Sequence, residues 1–274
     1  MSISKFFTTL AIVLALASGC SKPDANENAK TGSPGAANGS RTEEKDSHGE
    51  ALHWSYAGET GPEHWADLDS EWVIAREGRE QSPINIAKPI EEDLPPIEFN
   101  YHPSRVNIIN NGHTIQVNYD AGSSVKVDGE TYQLQQFHFH APSEHKIDGK
   151  SSEMEMHLVH KSAQGELAVV GVLINSGAAN EAFEPVWKNL PTSAGDEQHY
   201  EDQVSTADLL PDSRSYFTYP GSLTTPPCSE GVKWLLLTTP IELSADQVAR
   251  FAKIYGANNR PVQPLHDRRV AESR

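Results

Sequence analysis

His138-Phe139-His140, and Glu155-Met156-His157 with its histidine seventeen residues after His140, set three imidazoles at spacings that suit a metal ion. Both stretches read as β-strand, in which side chains i and i+2 share a face. Along residues 131–140, Gln136, His138 and His140 therefore take one face and Phe137 and Phe139 the other. Along residues 154–160, Glu155, His157 and Val159 oppose Met154, Met156 and Leu158. Two such strands laid side by side bring three neutral imidazoles to one point with a fourth position open, the ligand set of a catalytic zinc ion. A lone His-x-His is more often a surface or core pair. Gln136 and Glu155 set this one apart, since each precedes a candidate ligand by two residues on the same face. An acceptor must stand there to hold the far ring nitrogen and fix its tautomer. Phe137 and Phe139 would seat the backs of the ligands in a core.

The elements around these strands read as mostly β. Val106-Asn107-Ile108-Ile109 and Thr114-Ile115-Gln116-Val117-Asn118-Tyr119 flank an Asn-Asn-Gly turn signal. Residues 167–174 and 232–237 are apolar runs, as expected of strands buried on both faces. Residues 244–254 read as a helix with Ser244 as N-cap and Asp246 in its first turn, and residues 181–190 as a second.

The chain has 274 residues, 37% of them hydrophobic, and trimming its ends leaves one domain of about 220 residues, long enough for a sizeable core. Net charge is −16, from 38 acidic against 22 basic residues. No Lys/Arg cluster could neutralise phosphates, which argues against nucleic acid as a partner. Lys5 and the apolar run over residues 6–17 are of signal-peptide length and too short to span a bilayer. Ala17-Ser18-Gly19-Cys20 then resembles a lipoprotein cleavage box, though Leu16 stands one place early. Residues 1–19 are thus expected to be a signal peptide, and Cys20 the lipidated new N-terminus. Residues 20–50, rich in Gly, Ser, Asn, Ala, Pro and charge, would be a flexible linker that cannot offset its ordering entropy. The catalytic domain would span residues 51–270, and the protein would be periplasmic or at the cell surface, on the membrane by its lipid anchor only. Ordinary cleavage after Ala15-Leu16-Ala17, giving a soluble exported protein, is the alternative.

Residues 53–265 carry a series of motifs in order: His53-Trp54-Ser55-Tyr56, Gly61-Pro62-Glu63-His64-Trp65, Gln81-Ser82-Pro83-Ile84-Asn85-Ile86 and Asn110-Asn111-Gly112-His113. The histidine strands follow, then Ser143-Glu144-His145, Leu167-Ala168-Val169-Val170-Gly171, Ser222-Leu223-Thr224-Thr225-Pro226-Pro227-Cys228 and Asn259-Arg260-Pro261-Val262-Gln263-Pro264-Leu265. No one of these decides; together they make the chain resemble the α-class carbonic anhydrases. The resemblance implies a mainly β single domain with short peripheral helices, built on a large twisted mixed sheet of about ten strands. It also implies zinc, held by His138, His140 and His157, and reversible hydration of carbon dioxide to bicarbonate by zinc-bound hydroxide. Gln136, Glu155 and the Asn258 backbone carbonyl would support the ligands. Thr224 and Glu144 would orient the hydroxide, Thr224 donating to the carboxylate. Val159, Val169, Leu223, Thr225, Val232 and Trp234 would line the substrate pocket. His113 would shuttle the proton, with Tyr56, Asn111 and Gln116 ordering the water between; Gln116 departs mildly from the usual Asn. Bacterial relatives are often dimers, which allows a homodimer here.

One departure concerns cysteine. Many bacterial members pair a cysteine at the position of Cys228 with one where this chain has Ala75, so Cys228 is expected to be free. Two rival classes stand beside the enzyme. A binding module of this family that has lost catalysis typically lacks a metal histidine. A zinc-scavenging lipoprotein would favour a His-rich loop, whereas the tether holds only His48.

Overall fold

Strands form where the chain alternates or runs apolar, and in the computed structural model, which describes residues 53–274, thirteen of them join one mixed sheet. The signal peptide, Cys20 and the tether read in residues 1–50 lie outside the described residues. Ten strands make a continuous path: Glu197–Val204, Ser104–Asn110, Ile115–Asn118, Glu130–His140, Met154–Ser162, Leu167–Ser176, Glu230–Leu237, Tyr216–Ser222, Ala271–Ser273 and Ile90–Glu92. Three short strands, Glu98–Asn100, Ser124–Val127 and Ile241–Leu243, pair off that path and account for the excess over the expected ten. Neighbours are mostly antiparallel; Leu167–Ser176 runs parallel to Glu230–Leu237.

The Glu130–His140 strand changes phase in the middle. Leu134 pairs with His160 and Gln136 with Val159, so Gln135 is an extra residue with no partner, a β-bulge. Upstream of it the even residues Tyr132 and Leu134 enter the main core; downstream the odd residues Phe137 and Phe139 do. The alternation expected over residues 131–140 is therefore interrupted. Without the extra residue, Gln136, His138 and His140 would face the same way as Leu134.

The main core fills one face. Phe137, Phe139, Met154, Met156, Leu158, Val170 and Val172 pack there against Phe183, Trp187 and Phe251 from the peripheral helices. Truncating a fully buried aromatic such as Phe139 costs about 3–5 kcal/mol. The Ala245–Tyr255 helix is opened by a capping box in which Ser244 and Gln247 satisfy each other's backbone N–H. The second expected helix, residues 181–190, is split into a 3-10 turn, Glu181–Phe183, and one α-turn, Glu184–Trp187. Pro185 supplies the reason: it sits in the first turn of the α segment and cannot continue a longer helix through its position.

His160 lies on the core face and is wholly buried, with Nε2 2.8 Å from the Tyr101 hydroxyl and Nδ1 without a partner. Burial lowers its pKa from 6.5 to about 4. Between those values the unfolded chain takes up a proton that the folded chain refuses, so stability that is whole above pH 6.5 drains as pH falls toward 4. The loss amounts to about 3 kcal/mol. His160→Gln is expected to flatten the fall of the urea midpoint between pH 7 and 4.5; an equally steep fall in the variant would contradict the assignment.

A separate, smaller cluster holds Cys228 with Trp65, Ala66 and Ala75. Cys228 is free and fully buried, and burial pushes its thiol up to about 11. With Cys20 replaced by Ser, the chain is expected to take up one equivalent of thiol reagent after denaturation without prior reduction, and almost none while native. A reductant-sensitive dimer on a denaturing gel would show an intermolecular bridge instead.

Candidate metal centre

Antiparallel register sets His138 opposite His157 and His140 opposite Glu155. One nitrogen from each of the three histidines lies within 4.8 Å of the others. The outer nitrogens are all engaged. His138 Nδ1 is 2.8 Å from Gln136 Oε1, His140 Nδ1 is 2.7 Å from the Asn258 carbonyl, and His157 Nε2 is 2.9 Å from Glu155 Oε1. Since each of these acceptors needs an N–H, the facing lone pairs fall on His138 Nε2, His140 Nε2 and His157 Nδ1. His140 Nε2 is buried with no hydrogen-bond partner. A buried nitrogen left so, facing two further ring nitrogens, fits a borderline-soft cation such as zinc and not a hard one such as calcium or magnesium.

Electrostatics favour the neutral form of two of the three ligands. Burial, then the neighbouring imidazoles, holds His138 well below the usual histidine range; burial also lowers His140, against the pull of Glu144. Burial would lower His157 too, but the Glu155 charge and hydrogen bond outweigh it and raise the group. Burial opposes ionisation of Glu155 as well, and His145 and His157 together overcome it and hold the carboxyl well down. Glu155 also accepts the His145 backbone N–H at 2.8 Å and lies 2.7 Å from His145 Nδ1.

His145 thus stands directly behind the Glu155 carboxylate. Its Nε2 is 2.6 Å from the Tyr219 hydroxyl, which is 3.0 Å from Ser82 Oγ. Ser82 and Ser222 exchange two further hydrogen bonds, leading to the loop that carries Thr224. The pattern His-x-x-x-x-x-x-x-x-x-Glu that links His145 to Glu155 carries no local signal. Gly171 sits opposite His157, where an added Cβ would stand 2.6 Å from Leu236 Cδ1 and 3.3 Å from Glu155 Oε1. A glycine there leaves room for the carboxylate.

Glu144 lies beside two of the histidines, with Oε1 3.5 Å from His140 Nδ1 and Oε2 3.9 Å from His157 Nδ1. The Arg260 backbone N–H donates to Oε1 at 2.8 Å; Oε2 is buried and has no partner. Thr224 is buried and makes no hydrogen bond to Glu144, so the expected pair is not closed and Oε2 is free to accept. Val159, Val169, Leu223, Val232 and Trp234 all fall in one cluster, separate from the main core, and Thr225 is half-buried in the loop after Leu223. Trp234 also packs edge-on against His157, ring centroids 4.9 Å apart.

The remaining candidates are less uniform. His113 is half-buried and stacked on Trp54, with centroids 3.6 Å apart and planes 5° apart; burial, then His53, lowers its pKa. Asn111 uses its Oδ1 to accept the His113 and Thr114 backbone N–H groups, so that oxygen holds a turn and is not available to water. Gln116 lies opposite His138 and gives its amide to Asn118 at 2.7 Å. The Tyr56 hydroxyl is buried without a protein partner, and burial, then Glu144, raises its pKa.

Comparison with known proteins reaches most of the chain. The sequence profile of the eukaryotic-type carbonic anhydrases matches residues 60–274. A carbonic anhydrase of Nostoc sp. is 42% identical over 230 residues, covering 81% of this chain and 86% of that protein. One of Klebsiella pneumoniae is 45% identical over 225 residues, covering 81% and 92%. The α-carbonic anhydrase of Thermovibrio ammonificans, solved with the inhibitor sulfanilamide, superposes with a TM-score of 0.79 at 44% identity, covering 81% of this chain and all of that one.

Proposed function

The chain belongs to the eukaryotic-type carbonic anhydrase family, which hydrates carbon dioxide, and from that membership we propose that it does so at a zinc ion held by His138, His140 and His157. The observation that carries the reading is the trio of facing ring nitrogens within 4.8 Å, each with its outer nitrogen already engaged. What the ion supplies when bound is Lewis acidity, which in carbonic anhydrase brings the pKa of a bound water to about 7.

The chain's own residues do the rest. Gln136, Asn258 and Glu155 fix the three tautomers so that lone pairs, not protons, face the metal. Glu144, able only to accept, would accept a hydrogen bond from the Thr224 hydroxyl at its unpaired Oε2, leaving Thr224 Oγ1 as an acceptor that orients the attacking oxygen. Val159, Val169, Leu223, Val232 and Trp234 offer carbon dioxide an apolar wall that does not compete for the metal. His113 carries the product proton from the cleft to buffer, with Tyr56, Asn111 and Gln116 beside the water path. Export and anchoring through a lipidated Cys20 complete the proposal; the short apolar run and the Ala17-Ser18-Gly19-Cys20 box support it, and Cys20→Ser should move the protein out of the membrane fraction.

Stopped-flow hydration of carbon dioxide tests the reading. Rapid turnover, lost to a zinc chelator, restored by zinc and blocked by sulfanilamide, is the expected result. A zinc-loaded protein with no turnover would favour a binding module that has lost catalysis.

A further inference from the structure

Two buried side chains tie the turn that carries His113 to the strand that ends in His140: Thr114, whose hydroxyl donates to the Phe139 carbonyl at 2.5 Å and accepts the Phe139 N–H at 3.3 Å, and Asn258, which alone reaches the His113 backbone. Asn258 is 1% exposed and every polar atom it has is engaged. Its backbone N–H donates to the Ala141 carbonyl at 3.1 Å, and its own carbonyl accepts from His140 at 2.7 Å. Its side-chain Oδ1 accepts the Ala141 N–H at 2.8 Å. Its Nδ2 donates to two carbonyls on different elements, Phe139 at 3.0 Å and His113 at 3.1 Å.

Thr114 anchors the strand side of the turn, and Asn258 adds a hold on His113 itself. Asn111 and Gly112 are exposed, and Gly112 has φ +87, a conformation that side-chain-bearing residues avoid. His113 is held on three sides: its N–H by Asn111 Oδ1, its ring by Trp54, its carbonyl by Asn258. The first is local to the turn and the second comes from the N-terminal end of the domain. Only the third reaches the strand that carries the metal ligands.

We propose that the Asn258 side chain is a positioning residue for the proton shuttle, clamping the His113 backbone to the Phe139–Ala141 end of the ligand strand and so fixing how far the His113 ring stands from the metal centre. The proposal rests on the reading of His138, His140 and His157 as zinc ligands and of His113 as the shuttle. An amide is the group this task requires. It presents two hydrogens to two carbonyls and an oxygen to an N–H, whereas the isosteric carboxylate would face both carbonyls with an acceptor. The carbonyl that supports His140 is main chain and persists in any variant, so the side chain's contribution is separable.

The full-length zinc enzyme carrying Asn258→Ala or Asn258→Asp tests this. Net hydration in weak buffer is expected to fall about ten-fold more than isotope exchange between carbon dioxide and bicarbonate at equilibrium, because a displaced relay costs reach rather than chemistry. Imidazole buffer should close the gap. On a His113→Ala background, Asn258→Ala should lower net hydration by no more than about two-fold further, since both changes act on one relay. A readout independent of turnover is the His113 ring in zinc-free protein, whose NMR signals, shifted by the Trp54 stack, should move toward those of free histidine in both variants. Additive losses in the double variant, or His113 signals and a rate gap unmoved from wild type, would overturn the clamp while leaving the shuttle in place. A His113→Ala enzyme with no buffer-dependent defect would overturn both. If the Asp variant does not fold, Asn258→Ala and Asn258→Ser decide alone.

Discussion

Replacing any one of His138, His140 or His157 by Ala is expected to strip zinc from the purified protein and abolish nearly all hydration of carbon dioxide. Three imidazoles are the fewest that hold a catalytic zinc with its fourth position open. The loss should exceed the roughly 10–100-fold that removing an outer partner costs. Gln136→Ala, which frees only the outer nitrogen of His138, should fall in that smaller range. Zinc content by atomic absorption, beside stopped-flow turnover on the same samples, separates the two cases. The metal should also raise thermal stability, because it binds the folded chain, whose facing nitrogens are gathered within 4.8 Å, better than the unfolded one. Wild-type turnover in thoroughly metal-free protein would sink the zinc reading.

His113→Ala is expected to slow net hydration in weak buffer by about 10–100-fold. The ring is half-buried against Trp54 and stacks on none of the three candidate ligands. The interconversion of carbon dioxide and bicarbonate at the metal should therefore suffer little, and a small imidazole-type buffer should restore most of the net rate by taking over the relay. Burial lowers the His113 pKa from its ordinary 6.5, so the neutral, proton-accepting ring persists to somewhat lower pH than in a free histidine. Equal losses in exchange and net hydration, neither restored by buffer, would make the residue structural.

Much of the centre is legible in the chain because it is built from local repeats. Two histidines and their acceptors at i, i+2 spacing need only the two-residue period of a strand to be placed on one face. The apolar runs 167–174 and 232–237 likewise become adjacent buried strands. What escapes is set by partners distant in sequence. Tyr219 reaches His145 across 74 residues and Ser82 across 137, so no window along the chain shows them as one network. Trp54 meets His113 only because the chain before Gly58 folds back onto the turn at 111–113, 59 residues further along. The hydrogen bond to Glu144 comes from the Arg260 backbone, and a backbone donor leaves no mark in residue type. The bulge at Gln135 is invisible for a related reason: it exists only as a mismatch with the facing strand.

That mismatch has a bearing on how the chain can change length. Upstream of Gln135 the strand answers to the main core, and downstream to the histidine face, with one extra residue joining two opposite phases. Losing Gln135 alone would force a choice between turning Tyr132 and Leu134 out of the core and turning His138 and His140 away from the cleft. Losing or gaining a pair of residues upstream would preserve both. The ligand strand is thus governed by parity: odd changes in its length are lethal to either stability or metal binding, even ones are admissible, and a second bulge could compensate the first. Lineages of this enzyme should have drifted in this strand by twos.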